Sequence, residues 1–113
     1  MREELEALIS ANSSILLIAR YPDEQADIMG MLALIIYRVP TGIRTRIEDV
    51  VVDETMRGKG IGEALVRRAL IMARDAGADG VALTSNPKRG VANRLYQRLG
   101  FRLWETNLYF YKF

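Results

Sequence analysis

Three stretches of the chain carry residue types that could do chemistry. Arg57-Gly58-Lys59-Gly60-Ile61-Gly62 sets three glycines and two cations directly ahead of a helical pattern. A glycine-rich loop between a strand and a helix presents unpaired backbone N–H groups at the positive end of the helix dipole, which makes a ready anion site. Upstream, Glu48 and Asp49 are adjacent carboxylates, and downstream Tyr96 supplies a phenol. The chain has no histidine and no cysteine. That removes Ser-His-Asp arrangements, cysteine nucleophiles and thiolate zinc sites. Any proton transfer must therefore fall to carboxylates, tyrosine, lysine, hydroxyls or backbone groups.

Positioning these groups requires a strand before the loop and a helix after it. Thr45 to Asp53 reads as that strand, with an apolar run from Val50 to Val52 entering the loop. From Gly60 to about Ala76, Ile61, Leu65, Ala69, Met72 and Ala76 form one stripe, widened by Val66, Leu70 and Ala73, and Glu63 and Arg67 pair outside at i,i+4. Gly77-Ala78-Asp79-Gly80 closes the helix, Val81 to Thr84 is a brief strand, and Ser85-Asn86-Pro87 ends it. A second helix, roughly Arg89 to Leu99, carries Val91, Ala92, Leu95 and Leu99 on its buried face and stops at Gly100. Before the carboxylates, the spacing of Leu5 and Leu8-Ile9 predicts a helix over residues 2–10, ended by Asn12-Ser13-Ser14. Ile15 to Ala19 and Ile28 to Val39 then read as an antiparallel strand pair, the second apolar on both faces and central. The aromatic tail, Phe101 to Phe113, reads as two strands around Glu105-Thr106-Asn107. Its alternating aromatics suit sheet core or a dimer contact.

At 113 residues, half of them apolar and 27% charged, the chain is one domain, residues 1–113, able to bury a core unaided. Net charge is +2, and acids are interspersed among the arginines, so nucleic-acid binding is permitted but not indicated. The charged N-terminus is not a signal peptide. The longest apolar run, Ile28 to Tyr37, has roughly half the length of a membrane span. A cytoplasmic protein without membrane contact is expected. Strand, helix and strand around the glycine loop form a right-handed βαβ unit, so one parallel pair should sit in an otherwise antiparallel sheet with helices on both faces, an α/β (α+β) fold.

The loop is not a P-loop, and Glu63 or Leu65 stands where a dinucleotide fingerprint needs its third glycine. Val50-Val51-Val52-Asp53 followed by Arg57 to Gly62 instead resembles the acyl-CoA-binding signature of the GNAT superfamily of N-acyltransferases. Leu83-Thr84-Ser85-Asn86 and Ala92 to Phe101, with its Tyr-x-x-x-Gly-Phe segment, resemble the family's second half at a similar distance. The resemblance spans Ile15 to Phe113. It implies a splayed sheet in which acetyl-CoA serves as co-substrate, with no metal. Backbone groups of Val50, Val51 and Val52 would bond the pantetheine arm. The N–H groups of Gly58, Lys59, Gly60, Ile61 and Gly62 would hold the pyrophosphate, assisted by Arg57 and Lys59.

In this family a primary amine attacks the thioester directly, in a ternary complex. Tyr96 matches the position of the general acid that protonates the leaving thiolate. Glu48 and Asp49 point to opposite faces of an ideal strand, so one of them can face the amine. Glu48 is the favoured base, because Ile47 to Val52 is similar to the corresponding stretch of glucosamine-phosphate acetyltransferases in the family. The competing reading pairs the carboxylates with Arg44 or Arg46. Asn86 and Asn93 are further candidate contacts to cofactor or acceptor, although Asn86 equally suits a helix cap. Family members usually begin with a strand and helix that precede anything resembling residues 1–10. Without them the strand at Ile15–Ala19 would be an open edge, the acceptor site would be open, and a second copy would complete the sheet as a homodimer. The alternative activity is a non-catalytic acyl-CoA-binding module with an incomplete acceptor site. The amine acceptor, small molecule or protein, is not named by any residue.

Overall fold

The computed structural model describes residues 4–11 and 14–113. Its core is a five-stranded sheet in the order β1-β2-β3-β4-β5. Strand β1 (Glu4–Ala11), β2 (Ser14–Arg20), β3 (Ile28–Val39) and β4 (Gly42–Val52) run antiparallel in sequence order. A 3-10 turn (Glu54–Met56) and helix α1 (Ile61–Asp75) lead to β5 (Val81–Ala82), which pairs parallel with β4. Helix α2 (Gly90–Arg98) follows. One parallel pair in a mixed sheet is the architecture the βαβ unit predicts.

The first element departs from the sequence reading. Residues 4–11 form a strand, not a helix, and residues 2 and 3 of that expected helix lie outside the described residues. Glu4-Leu5-Glu6-Ala7 also satisfies strand alternation, and short periodic runs are decided by tertiary partners. Here the partner is β2, which faces β1 from Glu4↔Arg20 to Ala11↔Ser14, with Arg20 and Glu6 ion-paired at 2.9 Å across the two strands. Strand β2 is consequently an inner strand, and the sheet edge is β1.

Helix α1 buries Ile61, Leu65, Val66, Ala69 and Ala73 against Leu17 and Ala19 of β2, Leu32 and Leu34 of β3, and Ile47 of β4. The face of β3 turned toward α1 is sealed at Gly30, Leu32 and Leu34. The alternate residues Met31, Ala33, Ile35 and Tyr37 are half-buried or exposed, so β3 is central but covered on one face only. Gly30 sets the height of the helix. A Cβ there would lie 2.9 Å from Ile61 Cγ2 and 3.2 Å from Leu65 Cδ1. A glycine inside a strand commonly marks such a close approach.

Helix α2 is shallower than its apolar spacing predicts. Tyr96 is its one buried residue, while Val91 is 76% exposed. Arg98 ties it to α1 through Glu63 at 2.8 Å. Beyond Gly100 the chain makes no strand. The two strands expected in the tail are absent among the described residues, and Arg102 to Phe113 are exposed. Strand composition makes a strand only where a partner is engaged, and in this chain the tail pairs with neither outer edge of the sheet.

Candidate active site

The cleft originates where β4 and β5 part. Their pairing is confined to Thr45↔Val81 and Arg46↔Ala82. From Ile47 onward β4 stays bonded to β3, as far as Gly30↔Val52, and its other edge is left without a strand partner. Thr45 fixes the apex by donating its hydroxyl hydrogen to the Gly80 carbonyl at 2.7 Å. The resulting opening has a volume of about 300 Å³ and is lined by Ile47 to Val51, Leu83, Thr84, Arg89 and Tyr96. It thus brings Glu48, Asp49, Val50, Val51 and Tyr96 together.

The carboxylates do not follow simple alternation. Between Ala33↔Glu48 and Met31↔Val51 the ladder slips, so Asp49 and Val50 together oppose Leu32 alone. Asp49 takes up this bulge at a φ of 55°, a left-handed conformation that Asp tolerates better than most residues. Both Glu48 and Asp49 border the opening at this bulge. They differ in what they touch. Glu48 is held by Arg46 at 2.5 Å, the pairing that competed with a base role, whereas Asp49 is exposed and makes no ion pair among the described residues.

The glycine loop hangs from the end of β4. The Asp53 N–H bonds the Met29 carbonyl at 2.8 Å, and Asp53 Oδ1 accepts from the Thr55 N–H at 2.9 Å and from its hydroxyl. The Thr55 hydroxyl, the Thr55 N–H and the nearby Arg57 charge hold the Asp53 carboxyl below its ordinary pKa. This small knot fixes where the loop begins. Gly58 and Gly60 have φ of 80° and 81°, a left-handed conformation that favours glycine at both positions. Gly62 is helical, and a Cβ there would meet Val52 Cγ2 at an ordinary 3.7 Å. Gly60 is the N-cap of α1 and brings no side-chain cap to its first turn. The leading N–H groups of α1 therefore point out without a side-chain partner. Arg57 and Lys59 are exposed and form no ion pair among the described residues.

Tyr96 forms the opposing wall. It is 8% exposed and packs edge-to-face on Phe101, with ring centroids 5.8 Å apart. Its hydroxyl makes no hydrogen bond among the described residues and is not a sealed, unsatisfied group. Asn86 and Asn93 play structural parts here. Asn86 Oδ1 accepts from the Lys88 N–H at 2.9 Å, and Asn93 Nδ2 donates to the Asn86 carbonyl at 2.9 Å. These bonds knit the connection from β5 into α2. Arg89 and Gly30 were not singled out from the sequence. Arg89 is one of many arginines and carries no local signal, whereas a glycine within an apolar strand is itself a signal.

Comparison with known proteins agrees with this geometry. The model of the acetyltransferase (GNAT) family matches residues 1–101. This chain belongs to that family. A crystal structure of a Trypanosoma brucei acetyltransferase superposes with a TM-score of 0.75 at 29% identity, covering 88% of this chain and 70% of that one. A glucosamine 6-phosphate N-acetyltransferase of Trypanosoma brucei brucei is 40% identical over 62 residues, which are 55% of this chain and 40% of that protein. A mycothiol acetyltransferase of Nocardiopsis dassonvillei is 40% identical over 57 residues, 50% of this chain and 17% of the relative. The chain thus spans less than half the length of the curated relatives it matches.

Proposed function

We propose that the chain transfers an acetyl group from acetyl-CoA to a primary amine by direct attack. The observation that carries this reading is the parted β4–β5 edge, which joins the uncapped start of α1 to Tyr96. On this reading the pyrophosphate lies on the N–H groups of Gly58 to Gly62, beside Arg57 and Lys59. The pantetheine amides bond the open edge of Val50 to Val52, adding a strand-like partner where β5 has turned away.

The reaction then needs two proton transfers. The amine lone pair attacks the thioester carbonyl carbon, giving a tetrahedral intermediate that collapses with cleavage of the C–S bond. The thiolate takes a proton from the Tyr96 hydroxyl. Ordinary values of about 10 for a phenol and about 8.5 for a thiol make that transfer roughly 2 kcal/mol uphill. The proton lost by the amine goes to a carboxylate. We assign this role to Asp49, directly or through water, because Glu48 is already occupied by Arg46. An alkyl ammonium of pKa about 10.4 must give up roughly 4–5 kcal/mol to be neutral at pH 7, so a positioned base is worth having.

Thiol release from acetyl-CoA across a panel of amino sugars, amino-sugar phosphates, polyamines and peptides tests the proposal. Turnover with at least one amine, reduced about 100-fold or more in Tyr96→Phe, is the expected result. A second reading, an acyl-CoA-binding module without catalysis, draws on the chain's partial span of its relatives. Thermal stabilisation by coenzyme A with no turnover for any amine would select it.

A further inference from the structure

Although acids and arginines alternate along the sequence, the two halves of the chain differ in balance. Residues 1–56 carry ten acids against five arginines, whereas residues 57–113 carry eleven cations, eight of them arginine, against four acids. The fold places much of the second set on α1 and α2. In α1, Glu63, Arg67 and Arg74 fall within about 40° of one another at the helical period, away from the buried stripe of Leu65, Ala69 and Ala73. In α2, Arg94 and Arg98 are one turn apart, on the side opposite the buried Tyr96. Glu63 joins the two rows, since its Oε2 accepts from Arg67 Nε at 3.1 Å and its Oε1 from Arg98 Nη2 at 2.8 Å. Arg74, Arg67, Arg98 and Arg94 thus form one exposed line across both helices. A single carboxylate serves the two middle guanidiniums, Arg74 only grazes Asp75 at 4.0 Å, and Arg94 makes no ion pair among the described residues. The line therefore stays net positive, and the cleft chemistry uses none of it.

We propose that this arginine line docks the chain on the sugar-phosphate backbone of a nucleic acid, without reading its sequence. At about 1.5 Å per helical residue, Arg74 to Arg67 covers about 10 Å and Arg98 to Arg94 about 6 Å. With the crossing at Glu63 the line extends on the order of 25 Å, roughly seven phosphates of one strand at about 3.4 Å each. Arginine grips phosphate through two parallel N–H bonds from a planar fork. A backbone is a line of anions that one row of such forks can follow, whereas a lipid surface is a plane, of which one row engages little. Because Arg94 and Arg98 stand on the side of α2 away from Tyr96, a strand lying on them leaves the cleft open. The docking concerns this outer surface and holds whether or not the cleft is catalytic.

Fluorescence anisotropy of the full chain with labelled strands of about twelve nucleotides, single and duplex, RNA and DNA, tests the proposal. Dissociation constants between about 1 and 100 μM are expected, with log K falling against log salt at a slope of about −3 for single strands. RNA and DNA bound alike, or one preferred, both support a backbone contact. The pair Arg74→Gln, Arg94→Gln lies on exposed positions and should leave the circular dichroism spectrum unchanged. It should weaken binding about 10- to 100-fold at 50 mM salt and reduce the slope by about 1.4. The matched pair Arg38→Gln, Arg44→Gln, exposed on the β3–β4 hairpin, should leave the affinity in place. An equal loss in that hairpin pair means that binding follows overall charge, and overturns the proposal. Full displacement by saturating coenzyme A means that the strand only occupies the glycine loop, and overturns it too. So does the absence of binding to every strand at 50 mM salt, with or without binding to phosphatidylserine vesicles.

Discussion

Replacing Gly60 by Asn and by Asp separates the two properties assigned to the glycine loop. Gly60 sits at φ 81° as the N-cap of α1. Asn and Asp both tolerate this left-handed conformation better than other residues with a side chain, so the two variants should fold with stability similar to one another, each within about 1–2 kcal/mol of wild type. The two replacements differ by one negative charge. A carboxylate at this position would lie about 5 Å from a pyrophosphate carrying about two charges, and Coulomb repulsion even at water's dielectric is about 1.7 kcal/mol. The exposed loop justifies that high-dielectric value. Gly60→Asp should therefore bind coenzyme A roughly 10- to 20-fold more weakly than Gly60→Asn at low salt. The gap should narrow toward 1 M salt, where the Debye length is about 3 Å. Titration calorimetry with coenzyme A at two salt concentrations reads both effects. Equal affinities for the two variants at low salt would refute the placement of the pyrophosphate.

Three further perturbations test other parts of the structure. Gly30→Ala puts a methyl group 2.9 Å from Ile61 Cγ2, so it should destabilise the fold by about 1–3 kcal/mol by overpacking and weaken coenzyme A binding by shifting the start of α1; urea midpoints and titration measure the two effects. Asp49→Gly relieves a φ of 55° and should raise stability by about 0.5–1 kcal/mol while lowering turnover, and a rate equal to wild type would exclude Asp49 as the proton acceptor. Asp53 has a lowered folded-state pKa, so its stabilising contribution is present above the unfolded value of about 3.9 and is lost as pH falls through the folded value. Asp53→Asn should accordingly flatten the fall in urea midpoint between pH 5 and pH 3, and an unchanged acid profile would contradict that role.

The site was more legible than the ends of the chain. The glycine loop, its strand and its helix are local in sequence, and their turn chemistry and 3.6-residue spacing leave few alternatives. Tyr96 was found through its surrounding segment, and α1 buries the stripe that its spacing drew. What escaped was set by distant partners. Residues 4–11 fit two periods, and only pairing with β2 decides between them. The bulge at Asp49 depends on the register of β4 against β3, which no local pattern encodes, so the two carboxylates could not be placed from alternation. The tail has strand composition without a strand partner in its own chain, which is why composition alone misassigned it.

Amide chemical shifts of the isotope-labelled chain, followed during addition of coenzyme A, test the central claim most directly. The account predicts the largest shifts at Gly58, Lys59, Gly60, Ile61 and Gly62, with a second group at Val50 to Val52 and Tyr96. Shifts confined to other surfaces, or none at millimolar coenzyme A, would contradict it.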